Sequence, residues 1–296
     1  MKKYFNLGLI LILILVPALA ACDTTYTGVA FTMIDVPSQR YEIAQTEVTY
    51  ELWYAVKTWA LNNGYSFANA GREGNHGTEG ADPTSASQEP VTYISWRDAM
   101  VWCNALTEYY AAKGGTKYQW VYCSDSAYTT PIRTSTDGIV DKTAGMQDNP
   151  YVNQDAKGFR LPTSNEWYQA ARYIDGSTVY PDKYASGADA AYDAPTASTD
   201  IDGDGDYKTI GDVAVYLGNA KKVARVKTKS PNKLGLYDMS GNVSEWCFDW
   251  YHGGSLRVER GGGWYDEAFD VLVGSVYSDA PNYAYYFIGF RPVRTN

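Results

Sequence analysis

The sequence predicts an α+β fold with few regular elements, and three observations carry that prediction. Three segments have helix signals at both ends. Elsewhere apolar residues come in short bursts between Gly, Pro, Asn and Asp, the pattern of brief strands joined by long loops. Nine Trp and 27 Tyr in 296 residues then supply the bulk of a core that sparse strands cannot fill alone.

The helices come first. TYELWYAVKTWALNNG (49–64) opens on Thr49 as N-cap, spaces apolar residues three and four apart, and stops at Asn-Gly. SWRDAMVWCNALTEYYAAKGG (95–115) has Ser95 and Asp98 spaced as a capping box and closes on Gly-Gly. TSNEWYQAARY (163–173) repeats the box with Thr163 and Glu166 after Pro162. The strand candidates are VTYISW, GDVAVYLG, RVERGGGW and IGFRPVR, with VLVGS (271–275) read as a buried strand. KKVARVKTK (221–229), the longest cationic cluster, reads as an exposed strand and loop. Segments 71–90 and much of 183–206 are polar loops. No linker or internal repeat divides the chain, so 22–296 is expected to be a single domain.

The N-terminus points to export. Met1-Lys2-Lys3 precedes an uncharged run to Ala21, with the apolar core LGLILILILV. The run ends Leu19-Ala20-Ala21-Cys22, which resembles the bacterial lipobox. On that reading 1–21 is a lipoprotein signal peptide and Cys22 carries the lipid, so the chain is anchored to a membrane without spanning it. Asp23 follows; in some bacteria that residue retains a lipoprotein at the inner membrane, in others it carries no such meaning. The outer membrane or cell surface is the expected address. Loss of Lys2 and Lys3 would take the net charge from −9 to −11. An acidic exported domain excludes nucleic acid as a natural partner, since that needs Lys/Arg patches.

Metal and thiol chemistry is sparse. Besides Cys22 there are Cys103, Cys123 and Cys247, so at most one disulfide forms among these three. Cys103 and Cys247 read as small buried hydrophobes. No Cys/His metal spacing occurs, and His76 and His252 are the only histidines. Asp200-Ile-Asp-Gly-Asp-Gly-Asp206 alternates carboxylates with glycines, which can wrap a Ca²⁺. Its twelfth position is Gly211, where an EF-hand loop has Glu, and flanking helices are absent.

Several phrases then fall into one order: YEIAQTEVTYELWYAV (41–56), EPVTYISWRDAMVWCNALTE (89–108), GFRLPTSNEWYQAAR (158–172), GLYDMSGNVSEWCFDWY (235–251), RVERGGGW (257–264) and GFRPVR (289–294). The series resembles the formylglycine-generating-enzyme (sulfatase-modifying factor) family, and implies its variant of the C-type lectin fold. For the enzymatic branch the resemblance implies two cysteines past the Gly-rich turn that bind copper and activate oxygen. The matching positions fall near Asp266 and Val271, and no Cys follows Cys247. A second branch uses three histidines on iron, which two histidines cannot supply. The scaffold remains while the reagents are lost, and no catalytic residue or catalytic cofactor is expected. The resemblance also implies a structural Ca²⁺ held by the side chains of Asp238 and Glu245 and the carbonyls of Gly241 and Val243. The alternative is that this loop's polar groups satisfy one another.

From Trp264 to Phe287 the sequence is WYDEAFDVLVGSVYSDAPNYAYYF, in which eight of 24 residues are aromatic against 15% for the chain. Rigid rings among small polar residues are the composition of antibody-type binding loops. Asp266, Glu267, Asp270 and Asp279 interrupt the run, and unpaired carboxylates are costly to bury, so most of these rings are expected at the surface. The frame GGGW–A–VGS–AP–A–IGFR resembles the variable proteins of diversity-generating retroelements, above all their exported treponemal members. There, template adenines are copied with errors, and Asn codons become a limited set that excludes Lys, Gln, Met and Trp. None of those four occurs in 265–287. The resemblance implies diversified, ligand-binding positions at Tyr265, Asp266, Phe269, Asp270, Val276, Tyr277, Ser278, Asp279, Asn282, Tyr283, Tyr285, Tyr286 and Phe287. Trp264, Ala268, Val273, Pro281, Ile288, Gly289, Phe290 and Arg291 form the implied framework.

The sequence therefore reads as an exported lipoprotein, a monomer, that binds diverse ligands on a Tyr-rich C-terminal surface. Protein ligands are favoured over sugar, because the signatures of Ca²⁺-dependent sugar binding are missing. The alternatives are an exported oxidase of the formylglycine-generating type with an altered centre, and an envelope lipoprotein with one fixed partner.

Overall fold

The computed structural model describes residues 22–23, 29 and 31–296. Residues 1–21, expected to be a signal peptide, lie outside the described residues. The order is β1 (Cys22–Asp23), β2 (Thr32–Asp35), β3 (Tyr41–Ala44), α1 (Tyr50–Leu61), β4 (Arg72–Glu73), β5 (Val91–Thr92) and α2 (Trp96–Ala112). Then come β6 (Tyr122–Cys123), β7 (Tyr151–Val152), β8 (Phe159–Arg160), α3 (Ser164–Arg172) and α4 (Ile210–Val213). The C-terminal part holds β9 (Ser244–Trp250), β10 (Arg257–Arg260), β11 (Val276–Asp279), β12 (Ile288–Gly289) and β13 (Val293–Thr295).

The helix caps act as their sequences predict. Thr49 Oγ1 accepts from Leu52 N at 3.3 Å. Ser95 Oγ accepts from Asp98 N while Asp98 Oδ2 accepts from Ser95 N, at 3.1 and 2.9 Å. Thr163 and Glu166 do the same at 3.1 and 2.8 Å. Each box satisfies two backbone donors that the first helical turn leaves open. α2 is buried on nearly every side, polar residues included, so it is the axis of the molecule and not a surface helix. Trp53 of α1 stacks on Trp102 of α2 at 5.9 Å, and Phe290 meets both rings edge-on at 6.2 and 5.2 Å. The C-terminal framework thereby enters the main core.

Two larger sheets carry most of the rest, beside the two-stranded pairs β4-β5 and β6-β7. A five-stranded sheet runs β1-β2-β3-β13-β8, so the last strand closes beside an early one. A four-stranded sheet runs β11-β10-β9-β12; β10 is antiparallel to β9 and β11, and β12 is parallel to β9.

Three strand expectations are corrected. GDVAVYLG is not a strand: its first three residues end α4, with Thr209 N and Oγ1 both donating to Asp212 Oδ2 at 2.9 and 2.8 Å, and beyond them only Val215 makes an isolated bridge, to Gly241. VLVGS is a turn whose Val271, Leu272 and Val273 are buried without pairing as a strand. Segment 221–229 is loop, with Val223 buried.

Candidate ligand-binding surface

The aromatic segment begins at the Gly261-Gly262-Gly263 turn, which leaves β10. Gly262 has φ +64°, and a Cβ there would lie 2.9 Å from both the Asp270 carbonyl and Val271 Cγ1. Only glycine lets the 264–273 loop fold back this tightly.

From there the segment is held by main-chain hydrogen bonds. Trp264 N donates to Asn242 O at 2.9 Å, and Leu217 N to Asp266 O at 2.9 Å. Val273 N and Gly274 N donate to Tyr184 O and Asp182 O, both at 3.0 Å. β11 pairs with β10 in the register Arg257↔Asp279, Val258↔Ser278, Glu259↔Tyr277 and Arg260↔Val276. Arg97 N donates to Pro281 O, Tyr93 N to Tyr285 O and Ser244 N to Phe287 O, at 3.3, 2.9 and 2.8 Å. None of these bonds depends on which side chain a residue carries.

The side chains divide sharply. Tyr265, Phe269, Val276, Tyr277 and Tyr283 are exposed, and Asp266, Asp270, Ser278, Asp279, Asn282, Tyr285, Tyr286 and Phe287 are half-buried. Not one of these thirteen is buried. Of the implied framework, Val273, Pro281, Ile288, Gly289, Phe290 and Arg291 are buried, while Trp264 and Ala268 are intermediate. Phe269 and Tyr265 project furthest, at 55% and 50% exposure. Tyr265, Tyr283, Tyr285, Tyr286 and Phe287 form one contiguous group, whereas Phe269 meets Tyr192 at 6.4 Å and Tyr277 donates to Asp270. Tyr283 stacks on Tyr285 at 5.0 Å, Tyr285 lies 4.9 Å from both Tyr286 and Phe287, and Tyr265 stacks on Phe287 at 5.8 Å. Tyr285 and Phe287 also pack on the main core, so they are floor as much as surface.

Acids sit within this group. Asp266 Oδ2 accepts from Gly263 N at 2.8 Å, Asp279 Oδ1 accepts from Ala280 N at 2.9 Å, and Asp270 accepts from the Tyr277 hydroxyl. Burial pushes the Asp266 and Asp279 carboxyls up. Beneath them lies Glu259, 3% exposed on β10. Nothing in the sequence marks it, because an acid between two arginines in RVERGGGW carries no signal of its depth.

The 238–245 loop is buried under the framework. Glu245 is held by Arg291, whose Nη2 and Nε reach Oε1 at 2.8 and 3.1 Å, and it accepts from Trp167 Nε1 at 2.7 Å. Asp238 Oδ2 accepts from Lys227 N at 2.9 Å, while its Oδ1 is buried with no partner. Gly241 N donates to Gly261 O at 2.9 Å and Val243 N to Glu47 Oε1 at 3.0 Å. Burial raises Asp238 to about 6, and burial followed by the charges of Asp238 and Glu245 raises Glu47. Three buried carboxylates thus face one guanidinium, a surplus of negative charge that a cation bound at Asp238 would fit. Elsewhere Asp189, Asp200 and Asp202 bring carboxylate oxygens within 4.8 Å of one another, and they already accept from Ile201 N, Gly203 N and the Tyr180 hydroxyl respectively.

Cys103, Cys123 and Cys247 are buried and unpaired. Burial lifts all three thiols, Cys123 to about 11. Cys22, the expected lipid site, stands in β1, paired with Met33.

The aromatic segment thus belongs to the class of surfaces in which main-chain bonds fix the backbone while the side chains face solvent. The chain belongs to the family of the sulfatase-modifying factor enzyme 1-like domain, whose model matches residues 20–296. Its architecture is the C-type lectin-like fold of that family. It is similar to Treponema denticola variable protein 1, with 28% identity and a TM-score of 0.64 over 90% of this chain and 96% of that one. It is similar to CarF, with 28% identity and a TM-score of 0.63 over 86% of each chain. The chaperone protein LppX of Paenibacillus barcinonensis is 29% identical over 184 residues, 60% of this chain; the match spans 59% of LppX.

Proposed function

We propose that this chain is an exported lipoprotein, anchored through Cys22 at the outer membrane or cell surface. As a monomer it binds protein ligands on a diversified aromatic patch at 265–287. One observation carries the reading: the thirteen candidate positions all reach solvent, while their backbone is held by bonds indifferent to side-chain identity. That is what a segment needs if its residues are to change without unfolding the protein. The similarity to a treponemal variable protein supports it. Tyr and Phe supply contact area with few rotors to freeze, and Asp266, Asp270 and Asp279 favour partners with a basic rim.

The family also contains enzymes, and we place this chain outside their chemistry. Copper-thiolate activation of oxygen needs a reachable thiolate. Cys103, Cys123 and Cys247 are buried, with thiols held protonated by that burial. Asp238 and Glu245, with the carbonyls of Gly241 and Val243, are the residues that would hold a structural Ca²⁺, which would steady the loop beneath the patch.

The test is codon-by-codon sequencing of the gene across a cell population. Substitutions confined to the thirteen positions are expected. A uniform sequence, with no near-copy of the 3′ end nearby, would refute diversification and leave a patch for one fixed partner. The Tyr283/Tyr285/Tyr286 triple-alanine variant then separates surface from core: lost ligand binding with an intact fold supports the surface.

A further inference from the structure

We infer that the chain carries a second, fixed binding site, for a flat β-1,4-linked pyranose chain, in a groove that starts at Trp59, Tyr118 and Trp120 and passes Arg133. The site is separate from the aromatic patch and does not depend on its diversification. α2 sets the distance between them. Its first turn meets the patch, where Arg97 N donates to Pro281 O, and its C-terminal half supplies Glu108 to the groove. From Arg97 to Glu108, at about 1.5 Å per residue, the separation is about 16 Å along the helix axis.

The groove begins as a cavity of about 310 Å³, within the size range of small-ligand sites. α2 is buried along most of its length and reaches solvent here, at Glu108 and Ala111. Trp59 comes from α1, and Tyr118 and Trp120 from the loop that follows α2; all three are half-buried. Each ring is fixed by a neighbour. Trp59 meets Tyr109 edge-on at 5.7 Å. Tyr118 stacks on Tyr110 at 6.1 Å, and its hydroxyl accepts from Arg294 Nη1 at 2.9 Å. Trp120 Nε1 donates to Glu108 Oε1 at 2.5 Å. Rings already held in place lose little freedom when a ligand arrives. Glu108 is itself oriented by Arg133, whose Nη1 donates to Oε2 at 3.1 Å, and this ion pair is only partly buried. Lys117 lines the same cavity and is exposed.

The lining selects the ligand. Aromatic faces beside an oriented acid, a guanidinium and an ammonium suit a molecule with apolar faces and a hydroxylated edge. A pyranose is such a ring: its axial C–H groups form the faces and its hydroxyls the rim. Joined β-1,4, pyranoses make a flat chain, and the groove continues to take one. Arg133 also lines a second hollow of about 400 Å³, with Ser124, Thr134, Thr136 and Gln147 in its wall, so hydroxyls and an amide follow the rings. A peptide added as a strand would need unpaired main-chain groups. Here Ile132 N, Ser135 N and Gly145 N already donate to Tyr122 O, Ser66 O and Asn149 O, and Thr136 N to Gln147 Oε1. No residue of the groove lies in 265–287, so every variant of a diversified patch would keep it. The source of the sugar rests on the export reading above, which brings glycans of the cell envelope within reach.

The experiment titrates the full chain with cellotriose and chitotriose, and separately with maltotriose, whose α-1,4 links curve the chain, and with decaproline. The readout is the indole N–H signals of Trp59 and Trp120, assigned through Trp→Phe variants. At least one β-1,4 trisaccharide should shift both signals saturably, and maltotriose should bind at least tenfold more weakly. Preference for chitotriose supports a hexosamine glycan as the source, and preference for cellotriose a plain glucan. Trp120→Ala should weaken the bound trisaccharide tenfold or more. Arg133→Gln should weaken it by a smaller factor and serves if Trp120→Ala fails to fold. Tyr207→Ala, which removes an exposed ring outside the groove, should leave binding unchanged. Equal binding of maltotriose, or no saturable shift with either β-1,4 trisaccharide, would overturn the inference. Full binding by both groove variants, or a response to decaproline without one to sugar, would overturn it as well. None of these outcomes bears on the patch, which population sequencing and the triple-alanine variant test by themselves.

Discussion

Tyr283→Ala and Tyr285→Ala, two residues apart, should behave differently, and the difference measures where the surface ends and the core begins. Tyr283 is 40% exposed, and its ring stacks on Tyr285. Truncation there should cost one ring contact, about 0.5–1.5 kcal/mol. Tyr285 is half-buried, packs on the main core, and touches Tyr283, Tyr286 and Phe287 at 5.0, 4.9 and 4.9 Å. Three such contacts amount to about 1.5–4.5 kcal/mol, and truncating a buried aromatic costs about 3–5 kcal/mol, so a loss of about 3 kcal/mol follows for a half-buried ring. In thermal unfolding, at about 2–4 °C per kcal/mol for a chain of this size, Tyr283→Ala should lose a few degrees and Tyr285→Ala about 6–12 °C. Binding should invert the order of usefulness: Tyr283→Ala should weaken a selected ligand while the fold stays intact. Equal destabilisation by the two variants would refute the division, because Tyr283 would then be core.

Three further outcomes follow from buried charge. Asp148→Asn should cost about 3–5 kcal/mol in denaturant unfolding, since Arg97 is fully buried and donates Nε and Nη2 to Asp148 at 2.6 Å each; a loss under 1 kcal/mol would show that the guanidinium finds another partner. Glu166 is pushed up by burial but pulled further down by Arg160, so its contribution is present above the ordinary value of 4.5 and is lost as pH falls through the depressed folded value; Glu166→Gln should flatten the acid limb of the stability curve. Asp238 rises with burial from 3.8 to about 6, so without a cation stability falls by about 3 kcal/mol as pH climbs through that window. In chelator at pH 7, Asp238→Asn should therefore be more stable than the parent; added Ca²⁺ should raise the melting temperature of the parent and not of the variant, and no response of either to Ca²⁺ would remove the metal.

How much of this was legible in the sequence follows from the range of each interaction. Ser95 with Asp98 and Thr163 with Glu166 are local pairs three residues apart, so the helix starts could be read directly. The strands are mostly two to four residues long, and their pairing is set by distant partners, as where Val293 meets Ile43. No local pattern encodes that register. VLVGS looked like a strand because burial and β-branching coincide there, yet its main-chain donors go to Asp182 and Tyr184 and not to a neighbouring strand. Glu47 and Glu259 were invisible for a related reason. One is buried by a loop about 195 residues away, the other by a segment that returns over it, and in sequence each looks like an ordinary surface acid.

The geometry also explains why this scaffold could carry either fixed chemistry or open variation. Beneath the patch, Arg291 binds Glu245, the Ala44 carbonyl and the Tyr237 carbonyl, so one buried guanidinium joins β9, β3 and the 237–245 loop. Above it, the 264–287 segment hangs from carbonyls and amides of β9, β10 and the 182–184 turn. Stability is therefore stored in groups that the exposed side chains do not touch. Exposed positions usually change stability by no more than about 0.5 kcal/mol, so substitutions at Tyr265, Phe269 or Tyr283 leave the frame largely unchanged. Tyr285 and Phe287 are the exception, because they fill space against the core. If the patch varies, those two positions should accept chiefly large apolar or aromatic residues, while Tyr265 and Phe269 should accept any residue that their codons allow.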